Sequence, residues 1–285
     1  YHSCGVLSDQ TALCWGSNNY HQLGNGISSS NETYPQEVLF EGGISKMVLG
    51  GYHSCLVDIA SQVYCWGRND HGVLGRGDTL PRSVPTLVSA LAGILVLALG
   101  HYSSCAVNEE GSLLCWGDNS SGQLGVGNTL NRSTPTPVQG LTEVTHLALG
   151  YYHSCAANGT GLYCWGRNHY GQLGTGDNTN RSTPVAVPGF ATVKKFALGW
   201  RHTCATNEED TLLCWGWNKD GQLGVGDTTN RDTPTQVAIS GVKELALGGS
   251  HSSALEGDDE LYCLAITFLA SLGLVILPIA ATQPE

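Results

Sequence analysis

The chain is poor in charge. Of its 285 residues only 13% are Asp, Glu, Lys or Arg, and Lys and Arg together number 13. No run of basic residues occurs, and the formal net charge is −11. Phosphate-binding surfaces are built from clustered Lys and Arg, so nucleic acid is not an expected partner. Methionine is reduced to a single residue, Met47, and the chain opens on Tyr1. It therefore reads as a processed product, a fragment or a stretch of a longer sequence, without a start codon or leader. No window sustains an apolar period of 3.6 residues, so long helices are not expected. No phosphate-cradling glycine motif precedes a helix, and no cofactor is expected.

What is plentiful is glycine, at 38 positions, and a repeated phrase. Cys-Trp-Gly occurs at Cys14-Trp15-Gly16, Cys65-Trp66-Gly67, Cys115-Trp116-Gly117, Cys164-Trp165-Gly166 and Cys214-Trp215-Gly216, in steps of 51, 50, 49 and 50 residues. A fixed period of this size marks one supersecondary unit stacked repeatedly. Each unit opens as Gly51-Tyr52-His53-Ser54-Cys55 does and reaches Cys-Trp-Gly. It continues as Asn168-x-x-Gly171-Gln172-Leu173-Gly174 and passes a polar loop such as Arg181-Ser182-Thr183-Pro184. It closes on Leu147-Ala148-Leu149-Gly150 or its equivalents. Apolar runs of four to six residues between Gly, Asn, Asp and Pro read as short strands and tight turns. About four strands per unit suits one propeller blade. The expected fold is all-β, a β-propeller of about 50-residue four-stranded blades. Residues 1–249 form five clear repeats, and 250–285 a degraded sixth with an apolar C-terminal segment.

These recurring elements resemble the regulator of chromosome condensation repeat. The resemblance covers residues 1–249 and implies a β-propeller, commonly of seven blades, acting as a protein–protein scaffold. The family's nuclear exchange-factor and chromatin roles are not carried over, because the chain is acidic and its cysteines point elsewhere.

Ten of the 11 cysteines pair across five expected hairpins: Cys4 with Cys14, Cys55 with Cys65, Cys105 with Cys115, Cys155 with Cys164, and Cys204 with Cys214. Facing residues of a non-hydrogen-bonded antiparallel pair have Cα atoms about 4.5 Å apart, close enough for a disulfide. In the sixth unit Cys263 faces Ser253 and is left over. Zinc is the rival reading, since His53-x-Cys55 lies beside Cys65. A structural site needs four ligands, each unit offers three at most, and one unit has Ser103 in place of His. Reduced core cysteines are a third reading. Disulfides are favoured, and they imply a secreted or cell-surface, extracytoplasmic setting. Glycosylation sequons agree with it at Asn31, Asn131, Asn158 and Asn180, in loops and at a hairpin tip. A fifth, at Asn119, occupies a framework position of the turn after Cys-Trp-Gly.

Arg76-Gly77-Asp78 spells an adhesion tripeptide, but Gly176-Asp177 and Gly226-Asp227 stand in the same register, so the element reads as framework. Those acidic loops supply too few oxygens for calcium, and no metal is expected. The recurring His2, His53, His153, His202 and His251 read as framework, and acidic pairs such as Glu109-Glu110 and Glu208-Glu209 as exposed turns. No unrepeated nucleophile, base and acid stand together, so no enzyme is expected. The segment Leu264 to Ala281 is 18 residues without a charge. It is expected to be a mostly buried blade remnant rather than a membrane span, although membrane contact stays open. The expected function is an extracellular, non-catalytic protein-binding or structural module, either homo-oligomeric or part of a larger assembly. Two alternatives stand: a secreted enzyme inhibitor resembling the β-lactamase-inhibitor propellers, and, less favoured, a hydrolase or lyase.

Overall fold

The computed structural model describes residues 1–257, 260–264 and 275–276. It is all-β, with no helix among the described residues. Six antiparallel sheets, one of three strands and five of four, form the blades of a propeller. Blade one contains His2–Val6, Ala12–Ser17 and Asn31–Glu37, and blade two Ile44–Leu49, His53–Asp58, Val63–Gly67 and Arg82–Leu87. Blades three to five begin at inner strands Ile94–Leu99, His146–Leu149 and Lys195–Leu198. Blade six runs from Glu244–Leu247 through Ser252–Leu255 and Leu261–Leu264 to Val275–Ile276.

The blades differ in phase from the sequence repeat. The Leu-Ala-Leu segment that closes a unit in sequence is the inner strand of the next blade: His146 to Leu149 pairs with Ala157 to Ser154. A period has no origin of its own; hydrogen bonding supplies one.

Cysteine partners face each other in register, as Cys4 with Cys14 and Cys155 with Cys164, and all five pairs are disulfides with Cα atoms 4.1 Å apart. Each closes a loop of only nine or ten residues of separation, so each contributes about 2–3 kcal/mol. The zinc reading of His53, Cys55 and Cys65 fails here, because the two cysteines are joined to each other and His53 turns to a neighbouring blade. Cys263 is the free thiol, half-buried opposite Ser253.

One arrangement joins the blades. Gln123 of blade three offers its backbone carbonyl to two donors of blade four, the Trp165 indole N–H at 2.9 Å and the Ser154 hydroxyl at 2.8 Å. The same pairs occur for Gln22 with Trp66 and Ser54, Val73 with Trp116 and Ser104, and Gln172 with Trp215 and Thr203. The hydroxyl then accepts from the preceding blade's framework histidine: His2 to Ser54 at 2.8 Å, His53 to Ser104 at 2.9 Å, His153 to Thr203 at 3.0 Å, His202 to Ser252 at 2.8 Å. Because the hydroxyl proton is committed to the carbonyl, the histidine must carry its own proton on Nε2. Trp66, Trp116, Trp165 and Trp215 are fully buried, and the core clusters span neighbouring blades, as Leu124, Val138 and Leu141 do with Trp165. The glycine after each of these tryptophans holds a positive φ, +101° at Gly166, where a Cβ would stand 2.5 Å from the Tyr152 carbonyl oxygen.

The ends of the series depart from the pattern. Trp15 has the same motif but is 37% exposed, and Ser3 and His251 are exposed as well. In blade six Leu264 takes the tryptophan's place and packs on Gly224 as Trp215 packs on Gly174, while Ser252 still donates to the Gln222 carbonyl at 2.8 Å. Of the apolar segment, Leu264 is buried and Val275–Ile276 pairs with Tyr262 and Cys263; the remainder, 265–274 and 277–281, lies outside the described residues. No described helix is long and apolar enough to cross a membrane.

Candidate functional site

The blade geometry brings five inner-strand ends, Leu49-Gly50, Leu99-Gly100, Leu149-Gly150, Leu198-Gly199 and Leu247-Gly248, around one channel. Main chains touch there, with Gly51 N–H donating to the Gly100 carbonyl at 3.1 Å and His101 N–H to the Gly150 carbonyl at 3.3 Å. At the channel mouth lies a cavity of about 370 Å³.

The two residues before each framework histidine position form the rim; the first of them varies from blade to blade, while the second is tyrosine in four of six blades. They are Gly51-Tyr52, His101-Tyr102, Tyr151-Tyr152, Trp200-Arg201 and Gly249-Ser250, with Tyr1 in the register of Tyr52. His101 is the hub. It stacks on Tyr151 at 4.0 Å between centroids, and meets Tyr102 at 4.3 Å and Tyr52 at 4.9 Å edge-on. Tyr1 stacks on Tyr52 at 5.1 Å, and Tyr151 meets Trp200 at 5.7 Å. Two glycines leave the space: a Cβ on Gly51 would lie 2.6 Å from the His101 ring, and one on Gly249 2.9 Å from that of Trp200.

Guanidinium groups lie over this aromatic face. Arg68 sits 4.6 Å from the Tyr20 centroid and 5.3 Å from that of Tyr102, and is paired with Asp70 at 2.5 Å. Arg167 covers Tyr152 at 5.6 Å, and Arg201 lies 5.4 Å from Trp217. Burial, then the Arg68 charge, pushes His101 down to about 4, so its imidazole is neutral at pH 7. Burial and a hydrogen bond with Tyr151 push the Tyr102 phenol up to about 12. Both ring nitrogens of His101 are buried without a hydrogen-bond partner in the protein.

The arrangement offers rings, N–H and O–H donors and fixed positive charge. It brings no nucleophile together with a base. Four of the framework histidines, His2, His53, His153 and His202, are buried in the blade junctions, with His53 and His153 pushed down to about 3 by burial. Arg76-Gly77-Asp78 is turn framework: Asp78 accepts from Asn69 and Leu80 N–H and pairs with Arg82 at 2.6 Å, and Arg76 bonds the Leu87 carbonyl. Of the sequon asparagines, Asn31, Asn131 and Asn180 are exposed and Asn158 is half-buried. Asn119 is fully buried, donating to the Asn128 and Leu130 carbonyls at 2.8 and 3.0 Å.

The Regulator of chromosome condensation (RCC1) repeat model matches residues 9–57, 61–107, 110–157, 161–206 and 209–255. The chain belongs to this family. Among RCC1-repeat relatives, the probable E3 ubiquitin-protein ligase HERC4 of Rattus norvegicus is 39% identical over 93 residues, 32% of this chain and 9% of that protein. The chain thus spans a small fraction of such relatives, and the match lies in the repeats. Human WBSCR16 shares the fold at a TM-score of 0.79 and 24% identity, covering 90% of this chain and 69% of that one. Prp20p of Saccharomyces cerevisiae, whose structure was described with its binding to Gsp1p and histones, shares it at 0.78 and 23%, covering 92% and 69%. The RCC1-like propeller is a protein-binding and regulatory fold.

Sequence reasoning passed over Tyr52, Tyr102, Tyr151, Tyr152 and Trp200. The signal was available in the register itself, where the column after the constant glycine of Leu-Gly reads Gly, His, Tyr, Trp, Gly.

Proposed function

We propose that the chain is a non-catalytic protein-recognition module of an extracytoplasmic protein, and that the channel mouth is its contact face. The observation that carries this is the cluster of Tyr151 and Trp200 at the mouth with Arg201 next in the chain, residue types in which interface hot spots are enriched. Protein binding is described for the same fold in Prp20p. Trp200, 42% exposed beside Arg201, is the natural anchor.

The test is a binding screen against purified secreted proteins and ectodomains of the same organism. A double variant Tyr151→Ala/Trp200→Ala is expected to weaken the partner by about thirtyfold or more. Tyr34→Ala/Leu130→Ala, at positions 77% and 66% exposed, is expected to leave it unchanged. The opposite ranking, or turnover of any bound protein, would defeat the reading.

The five short-loop disulfides support the extracytoplasmic part of this reading. Glycans at Asn31, Asn131, Asn158 and Asn180 belong to the same proposal. Denatured without reductant, material from its source should alkylate at Cys263 alone and lose mass to an N-glycosidase. Alkylation of all cysteines would place the chain in a reducing compartment.

A further inference from the structure

Among the described residues the mouth is lined by phenol, indole and imidazole groups, by Leu49, Leu99, Leu149, Leu198 and Leu247, and by glycine backbone, and none of them is a carboxylate. In a chain with 24 acidic residues this is a local exclusion of negative charge. Each polar side chain there can donate: the phenols of Tyr1 and Tyr151, which also accept, the Trp200 indole, which only donates, and one nitrogen of the neutral His101. His101 is only 7% exposed, lines the cavity, and finds no partner for either ring nitrogen. A buried polar group left unpaired costs about 1–3 kcal/mol, which a ligand that completes it recovers. Arg68 lies near enough to raise the local potential felt by His101, and its own counter-ion, Asp70, is not among the residues that line the cavity.

From this juxtaposition we propose that the channel mouth takes an acidic side chain, Asp or Glu, from a protein partner, with His101 as the buried donor to its carboxylate. The proposal deepens the protein-recognition reading and rests on it. A carboxylate accepts only, and so can take the N–H of His101 and Trp200 and the O–H of Tyr1 and Tyr151 together. A lysine or arginine side chain would meet the Arg68 field and no counter-charge in the lining. The net charge of −11 does not forbid an acidic guest, because charges more than about 8 Å away are largely screened at physiological ionic strength. The volume of about 370 Å³ admits one side chain with its flanking backbone, at the small end of ligand pockets.

The experiment uses the full chain labelled at histidine and tryptophan, followed by NMR. The probes are two capped peptides, acetyl-Gly-Gly-Glu-Gly-Gly-amide and the same peptide with Gln, and methyl β-D-glucuronide as a non-peptide carboxylate. The Glu peptide is expected to shift the His101 imidazole and Trp200 indole signals and to bind about tenfold more tightly than the Gln peptide. His101→Phe, which keeps a ring in the stack, should abolish that preference, while Leu130→Ala retains it. Equal binding of the Glu and Gln peptides to the unsubstituted chain would overturn the proposal without relying on any variant. So would tighter binding of the glucuronide than of the Glu peptide, which would make the guest a sugar acid. If the partner screen maps to the mouth while Glu and Gln behave alike, the carboxylate proposal alone fails. If mouth substitutions leave the partner bound, the face itself is wrong.

Discussion

Acidifying the protein from about pH 7.5 to about pH 5 is expected to lower its urea midpoint steeply, well before its carboxylates titrate. Burial holds His2, His101 and His202 down at about 4, and His53 and His153 at about 3. In the unfolded chain each imidazole takes up a proton near its ordinary pKa of about 6.5. Below that pH the unfolded state binds protons that the folded state refuses, so stability falls as pH falls. The loss runs from about 6.5 down to about 4 for His2, His101 and His202 and to about 3 for His53 and His153, and above 7 the profile is flat. Within the window each such histidine costs at most about 1.4 kcal/mol per pH unit, with the smallest share from His101 at the solvent-facing channel mouth, and the five act in the same direction. Protonation would also force a second N–H into the junction, where Nδ1 of His2, His153 and His202 already has no partner. His53→Gln should lower stability at neutral pH and make the slope shallower by one proton. A urea midpoint constant down to about pH 5 would show that these rings are not held neutral in the blade junctions. A second, lower window belongs to Asp78, Asp177 and Asp227. Backbone hydrogen bonds and Arg82, Arg181 and Arg231 keep their carboxyls below the usual range.

The histidines also mark how far the sequence could be read. Their recurrence with Cys and Trp disclosed the blade, because every copy of a framework residue meets the same surroundings. The disulfides were legible for a related reason: both cysteines lie on one hairpin, and local register follows from a short turn. The role of the histidines was not legible, since His153 bonds Thr203 of the next blade, 50 residues away. Spacing shows that such a pair recurs but not that it touches. The mouth was hidden more completely. His101 stands two residues before Ser103, which holds the framework position, and reads as a displaced copy of a common residue. Only the convergence of the inner strands makes it the centre of Tyr52, Tyr102 and Tyr151. Trp15 shows the opposite limit, for its motif is that of Trp66 but its exposure is 37% against 0%.

That contrast supplies a paired experiment. Trp165→Ala is expected to destabilise the protein by about 3–5 kcal/mol, the range for deleting a buried aromatic. The indole is fully buried among Leu124, Val138, Leu141 and Val144. Its ring also lies on Gly125, where even a Cβ would come within 2.8 Å of Nε1, so the backbone is fitted to the ring and cannot close over its absence. The Gln123 carbonyl would keep its bond from Ser154, so the loss comes from packing and the cavity more than from an orphaned acceptor. Trp15→Ala removes the same side chain from the same motif where it is partly exposed, and should cost far less. Stability in a repeat array is close to a sum of unit and nearest-neighbour terms, so the damage from Trp165→Ala should concentrate at the junction of blades three and four. Protease nicking near that junction should therefore rise together with the fall in urea midpoint. Equal losses at Trp15 and Trp165 would show that the tryptophan stabilises its own hairpin rather than the joint between blades.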